Sequence, residues 1–199
     1  MDAGPGLNFF SVNQERLLFH TLGALCTPET VQTELLRKAR QDNRFAPAEK
    51  VWKKLPERLM TVLSDDMTEP LAHAVQRITG IPFDRRVRSS QDLGEIMVVA
   101  HASVSASAGH KSIILMDDQY GRYLATQEAR RLLRLRKQGC QVGSMHLVYT
   151  PIVLRRAAGS TYLPDRDAMR RLYRRLRELD DGLLPLEATD LMDLSCWDH

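Results

Sequence analysis

Apolar residues along this chain alternate between short continuous runs and helically spaced stretches, which is the pattern of an α/β protein. The clearest run, Lys111–Met116, predicts a strand buried on both faces, as in a parallel sheet. The apolar and small residues of Ile96–Gly109 predict a helix before it. The spacing of Leu and Ala over Gly121–Gln138 predicts a helix after it, which Gly139 ends.

The same patterns extend over most of the chain. Three more strands are predicted, at Leu25-Cys26, Arg58–Leu63 and Met145–Tyr149. The Gly/Pro sequence of Ala3–Gly6 predicts a loop, and a short helix or turn is predicted at Pro151–Ala158. Further helices are predicted at Asn8–Leu22, Pro28–Ala39, Ala46–Leu55, Thr68–Thr79 and Asp165–Asp180. Alternating strands and helices predict a three-layer α/β/α sandwich around a small parallel sheet.

Length and composition narrow the class of protein. The 199 residues, 43% of them hydrophobic and 27% charged, fit one globular domain, predicted at 1–160, with an added basic helix and acidic tail at 161–199. No stretch approaches 18 consecutive apolar residues, and no leader sequence is recognisable, so we expect a cytoplasmic protein without a membrane span. The three cysteines have no CxxC spacing, and the histidines have no HxH or HExxH spacing.

Acidic residues occur where an open α/β sheet binds ligands. Asp117 and Asp118 follow directly after the predicted strand, at its carboxyl end. Glu95 starts the preceding helix, which a right-handed crossover would bring back to the same end. Asp2 and Glu34 are two further candidates, although a glutamate in a helix, such as Glu34, is more commonly an exposed surface residue. Carboxylates about 4 Å apart repel by roughly 4 kcal/mol, so such a cluster favours a divalent cation, and oxygen-only ligands favour Mg²⁺ or Mn²⁺.

The order of these motifs resembles that of a PIN-like domain. Asp2 stands near the beginning, Glu34 lies in Pro28–Leu35, Gly94-Glu95 precedes an Ala-rich helix, and Asp117–Arg122 follows a strand. PIN-like domains are small metal-dependent ribonucleases, and many are toxins of type II toxin–antitoxin pairs. The resemblance covers roughly residues 2 to 157. In that family a hydrophobic strand precedes the first Asp, and a Ser, Thr or Asn often follows two residues later. Here only Met1 precedes Asp2, and Gly4 holds the later position.

The resemblance implies specific roles. Asp2, Glu34, Glu95 and Asp117 would be the catalytic, metal-binding acids, with Asp118 as a further ligand and Arg122 orienting the substrate. It further implies Mg²⁺ or Mn²⁺ as cofactor, RNA as substrate, and an antitoxin protein or a second copy of the chain as partner.

Positive charge is concentrated in one part of the chain. Residues 111–177 carry 15 Lys and Arg against 5 Asp and Glu, which is the electrostatic signature of a polyanion-binding surface or of two solvated amphipathic helices. Nearer the acidic motif, Arg85, Arg86 and Arg88 are candidates for binding a phosphate backbone, or form a solvated face.

Residues 178–199 carry seven acids and no Lys or Arg, with apolar residues between them. We expect this tail to fold back over the basic surface, either as a structural strap or as a mimic of RNA.

Two functions therefore stay open. The first is a metal-dependent endoribonuclease that cleaves RNA phosphodiesters, as toxin–antitoxin toxins do. The second is a catalytically degraded PIN-like domain that binds RNA or protein without cutting. The four acids favour the first function, because a protein that only binds polyanions gains nothing from carboxylates at its binding site.

Overall fold

The computed structural model describes residues 1–197 and contains helices and strands in alternation. The strands are β1 (Leu25–Pro28), β2 (Met60–Leu63), β3 (Lys111–Leu115) and β4 (Ser144–Val148). The helices are α1 (Ala3–Ser11), α2 (Glu15–Leu22), α3 (Glu29–Gln41), α4 (Ala46–Trp52), α5 (Glu69–Thr79), α6 (Phe83–Arg86), α7 (Leu93–Ser107), α8 (Gln119–Lys137), α9 (Thr150–Ala157) and α10 (Arg166–Leu179). Short 3₁₀ turns lie at Asn43–Phe45, Leu186–Ala188 and Ser195–Trp197.

The prediction of an α/β fold is confirmed. The strands form two small parallel sheets, β1 with β2 and β3 with β4. The register of the second sheet runs from Lys111 opposite Ser144 to Leu115 opposite Val148. None of the helices within residues 1–197 has the length and apolar character that a membrane span requires.

The residues group into two compact units, each drawn from several segments of the chain. Unit 1 comprises Met1–Ala3, Cys26–Glu34 and Val62–Val148; unit 2 comprises Gly4–Leu25, Leu35–Thr61 and the chain from Tyr149 onward. Because contacts rather than chain order define these units, the expected domain boundary at residue 160 stays a prediction.

Unit 1 contains the β3–β4 sheet with α7 and α8 packed against it. Helix α7 is buried along most of its length because nearly every residue from Ile96 to Ala106 is apolar or small. Helix α5 packs on α7, and the side chain of Thr68 caps its first turn by accepting a hydrogen bond from the Leu71 amide. The predicted helix Thr68–Thr79 is therefore confirmed.

Strand β3 departs from the expected burial on both faces. Ile114 and Leu115 are buried, whereas Ile113 is 49% exposed and Lys111 is exposed. The turn before the strand is exposed as well, so β3 begins at the surface and enters the core only in its second half. The prediction of a fully buried strand is wrong for residues 111–113.

Unit 2 is largely helical, with a core built around Phe10. The Phe10 ring lies 6.4 Å from the Phe19 ring and 6.3 Å from the Trp52 ring, measured between centroids. Helices α2 and α9 pack together. On α10 the predicted stripe of Met169, Leu172, Tyr173 and Leu176 is buried, and the side chain of Asp165 caps the first turn.

The prediction for the N-terminal segment is wrong. The expected loop at Ala3–Gly6 lies inside α1, and the single helix expected over Asn8–Leu22 is two helices separated at Asn13, whose φ is +56°. Proline is tolerated in a first helical turn, where the amide hydrogens lack intrahelical acceptors. Almost all of α1 is buried, and this packing outweighs the roughly 1 kcal/mol that each helical glycine costs. Pro28 likewise ends β1 instead of opening α3.

The acidic tail is ordered as far as it is described. The Trp197 side chain is buried and its Nε1 donates to the Leu191 carbonyl at 2.8 Å; the Tyr173 hydroxyl donates to the Leu184 carbonyl at 2.8 Å. Arg155 forms a 2.5 Å ion pair with Asp190. These contacts support the strap, because the segment is held by buried apolar anchors as well as charge. Asp198, one of the seven acids of the tail, lies outside the residues that the structure describes.

Candidate acidic site

Hydrogen bonds on both sides hold Asp2 in unit 1. The Met1 amino group donates to the Cys26 carbonyl at 2.6 Å, and the Thr27 hydroxyl donates to the Met1 carbonyl at 2.8 Å. The Asp2 amide donates to the Leu115 carbonyl at 3.0 Å. Residues 1 and 2 therefore join β1 to the carboxyl end of β3, where the Asp2 side chain is only 3% exposed.

Gly94 allows the start of α7 to approach two of the predicted acids. A Cβ at this buried glycine would lie 2.9 Å from Glu34 Oε2 and 4.0 Å from Asp2 Oδ1. The first of these distances is shorter than real Cβ contacts allow, so Gly94 leaves space for the Glu34 carboxylate. Glu34, on α3, and Asp2 thus meet at one point beside the first turn of α7.

Glu95 follows in the same turn and is half-buried. Its pKa is raised from the usual 4.5 to about 7, mainly by burial and in smaller part by the charges of Asp2, Glu34 and Asp118. Its own backbone amide acts in the opposite direction. Asp2, Glu34 and Asp118 are therefore close enough to Glu95 to repel its charge, and we call these four side chains the acidic cluster.

Asp118 lies at the N-terminus of α8 and has a structural role there. Its Oδ1 accepts a hydrogen bond from the Gly121 amide at 2.7 Å, which is a helix cap. A Cβ at Gly121 would lie 3.1 Å from Glu95 Cβ and 2.2 Å from Met116 Sδ, so this glycine lets α8 approach Glu95 closely. Asp117, half-buried, lies between the end of β3 and Asp118.

The four predicted substrate-binding arginines have different surroundings. Arg122 is half-buried on the first turn of α8, and Arg85 and Arg88 are exposed. Arg86 is 7% exposed, and its guanidinium donates to the carbonyls of Ser89, at 2.8 Å, and of Gln91. Arg86 therefore stabilises the loop that leads into α7.

The side chains of the acidic cluster offer only carboxylate oxygens, which are the ligand type that a hard divalent cation prefers. Within residues 1–197, however, no three or more His, Cys, Asp or Glu side chains are already arranged to hold a metal ion. The carboxylates of the cluster are therefore near Glu95 but not at coordination distance from a common point.

Unit 1 contains a second polar cluster, which is centred on Asp65 and was not predicted from the sequence. Asp65 Oδ1 lies 2.8 Å from His101 Nε2, and its Oδ2 accepts a hydrogen bond from the Thr30 amide at 2.7 Å. The Asp65 amide donates to Glu29 Oε2 at 3.0 Å. Burial alone would raise the pKa of Asp65, but the hydrogen bonds from His101 and Thr30 outweigh it and lower that pKa. No local motif indicates this cluster, because its members come from three separate segments.

The chain matches no protein-family model, no curated protein and no solved structure.

Proposed function

We propose that the chain is a metal-dependent endoribonuclease with a PIN-like, three-layer α/β/α arrangement, which cleaves RNA phosphodiesters at the acidic cluster. The observation that carries the proposal is the convergence of four carboxylates from the N-terminus, α3, α7 and α8. Burial, with a further contribution from the other three carboxylates, raises the pKa of Glu95 to about 7. Folding that assembles like charges costs free energy, and a site for a cation explains that cost.

The glycines around the cluster support the same proposal. Gly94 and Gly121 both stand where any side chain would displace an acidic side chain or its neighbour. Each glycine costs about 1 kcal/mol of helix stability, and close approach of the helix to its neighbours offsets that cost. Their positions make sense if α7 and α8 must bring carboxylates together.

In the proposed mechanism, Asp2, Glu34 and Glu95 of the acidic cluster, together with Asp117 just after β3, would hold one or two Mg²⁺ or Mn²⁺ ions, and Asp118 would be a further ligand. A divalent cation, when bound, supplies a water of lowered pKa and neutralises charge on the phosphate. Asp118 also fixes the start of α8 through its cap to Gly121. Arg122, on that first turn, orients the phosphate backbone, and the exposed Arg85 and Arg88 extend the basic surface.

Basic side chains elsewhere fit an RNA substrate. Arg130, Arg134 and Arg136 of α8 are exposed. So are four arginines of α10: Arg170, Arg171, Arg174 and Arg175. Exposed guanidinium groups bind phosphates by charge-assisted hydrogen bonds without reading sequence. A toxin role would add an antitoxin protein, or a second copy of the chain, as partner.

A second candidate function is a degraded PIN-like domain that binds RNA or protein without cutting. One observation favours it: within residues 1–197 no three donors are pre-arranged to hold a metal ion. Under this alternative the raised pKa of Glu95 would leave the acid partly protonated near pH 7, so the cluster would carry less charge than its four carboxylates suggest.

Cleavage of labelled single-stranded RNA by the purified chain separates the two functions. With Mn²⁺ we expect cleavage that EDTA abolishes, and Glu95→Gln and Asp117→Asn should each remove it. Asp66→Asn is the matched control, since Asp66 is an exposed acid of unit 1 outside the cluster. RNA binding without cleavage under all conditions would support the binding module instead. Equal activity of Glu95→Gln and Asp66→Asn would refute the assignment of the site.

A further inference from the structure

Unit 2 contains an open cleft of about 700 Å³, within the size range of small-molecule sites. It lies among α2, α4, the segment Leu55–Leu59 and Tyr162. Phe19, Val51 and Leu55 give it an apolar side. None of its lining residues belongs to the acidic cluster, so the cleft is a separate feature.

Three cationic side chains line this cleft: Arg16, Lys50 and Lys54. None of them forms an ion pair or a side-chain hydrogen bond with another residue in the part of the chain that the structure describes. Their neighbour Lys53 differs, because it pairs with Glu49 at 2.9 Å and does not line the cleft. Three cations directed at one apolar cleft match the phosphate end of an amphipathic ligand.

An aromatic pair borders the same cleft. The rings of His20 and Tyr162 lie 5.2 Å apart between centroids with their planes at 52°, and Tyr162 is 40% exposed. An exposed ring of this kind offers a surface on which a planar base can stack. Cations and a stacking ring together favour a nucleotide over a simple anion.

Glu15 narrows the choice of base. It lines the cleft, and its Oε2 is buried without a hydrogen-bond partner among residues 1–197. A buried carboxylate oxygen is stabilised by N–H donors, and a carboxylate accepts two adjacent ones well. Guanine presents two adjacent donors, N1–H and the N2 amino group, on its pairing edge, whereas adenine, cytosine and uracil each pair a donor with acceptors there.

We propose that the cleft of unit 2 binds a guanine nucleotide, either free or within a single-stranded RNA. Glu15 accepts hydrogen bonds from the guanine edge, Tyr162 stacks on the base, and Arg16, Lys50 and Lys54 bind the phosphate. The site goes beyond the proposed cleavage activity and uses none of its residues.

Calorimetric titration of the full chain with nucleotides tests this assignment. We expect GMP to bind about tenfold or more tightly than AMP or UMP, since one two-donor contact discriminates bases by about that factor or more. Glu15→Gln should remove the preference for GMP while leaving AMP binding nearly unchanged. The double variant Lys50→Gln/Lys54→Gln should weaken GMP and AMP alike and flatten the salt dependence. Lys53→Gln is the matched control, because it removes the same charge from the same helix end outside the cleft.

Two RNA hexamers identify the source of the nucleotide. Preference for an oligouridine hexamer with one central guanosine, over oligouridine alone, without GMP binding would indicate a guanosine read within RNA. GMP binding indicates that the free nucleotide suffices. Binding of neither GMP nor the guanosine hexamer would overturn the proposal, as would inorganic phosphate binding as tightly as GMP or Lys53→Gln weakening GMP as much as the double variant. Glu95→Gln should keep GMP binding while losing cleavage, so the two proposals fail separately.

Discussion

Replacing Glu95 with glutamine should stabilise the protein at alkaline pH and leave it nearly unchanged in acid. Glu95 has a pKa of about 7 in the folded protein and about 4.5 when unfolded. The folded state therefore binds more protons between these values, and stability falls as pH rises from 4.5 through 7. Below pH 4.5 the Glu95 carboxyl is protonated in both the folded and the unfolded state, so Glu95 no longer lowers the stability of the protein.

The size of the effect follows from the pKa change. A rise from 4.5 to about 7 corresponds to roughly 3 kcal/mol, at about 1.4 kcal/mol for each pKa unit. Glu95 is only half-buried, so solvent reduces much of this cost of ionising the side chain, and we expect about 1 to 2 kcal/mol. Glutamine has the same shape without the charge, so Glu95→Gln should gain that amount at pH 8.

Urea unfolding followed by circular dichroism, at pH 4.5 and at pH 8, measures both values. The Asp66→Asn variant controls for loss of an exposed acid. A gain from Glu95→Gln that is equal at both pH values would refute the argument, because it would arise from packing and not from charge. No gain at pH 8 would show that burial and the neighbouring acids do not disfavour the charged form of Glu95 in solution.

Three further substitutions have defined consequences. Gly94→Ala should change the free energy of unfolding by less than about 1 kcal/mol, because the flexible end of Glu34 can move away. The same substitution should lower Mn²⁺-dependent cleavage about tenfold or more, and unchanged cleavage would mean that the position of Glu34 is unimportant. Glu128→Ala should lower the free energy of unfolding, measured with denaturant, by about 2 to 3 kcal/mol. The buried Glu128 carboxylate accepts a hydrogen bond from Ser103 at 2.6 Å and pairs with Arg77 and Arg131, both at 3.0 Å. A loss below about 1 kcal/mol would show that this network is not stabilising. Trp197→Ala should lower the free energy of unfolding by about 3 kcal/mol and make the tail susceptible to limited proteolysis. Unchanged proteolysis would contradict the role of Trp197 as an anchor.

Elements with strong local signals were predictable from the sequence. Thr68 caps α5 because its side chain reaches an amide three residues later, and α10 buries a stripe that repeats at helical spacing. Such features depend on neighbouring residues alone. The N-terminal segment was mispredicted because tertiary burial of α1 overrides the local preference of its glycines for a loop.

The candidate site was predictable only in part. The order of Asp2, Glu34 and Glu95 in the chain led to the expectation that they lie together, and the structure brings these three together with Asp118. The role of Gly94 as the point of close approach was not predictable, since it depends on how α7 packs. The contact between Asp65 and His101 joins residues 36 positions apart and has no signature in the sequence.

Titration of the purified chain with Mn²⁺, with proton release measured at pH 6 and pH 8, tests the acidic cluster most directly. Near pH 6 the Glu95 carboxyl, with its pKa of about 7, is mostly protonated, so cation binding should release close to one proton; at pH 8 it should release almost none and bind more tightly. Glu95→Gln should bind Mn²⁺ at least about tenfold more weakly and lose the pH-dependent proton release. Mn²⁺ binding that is the same in wild type and Glu95→Gln, or absent from both, would contradict the assignment of the cluster as a cation site.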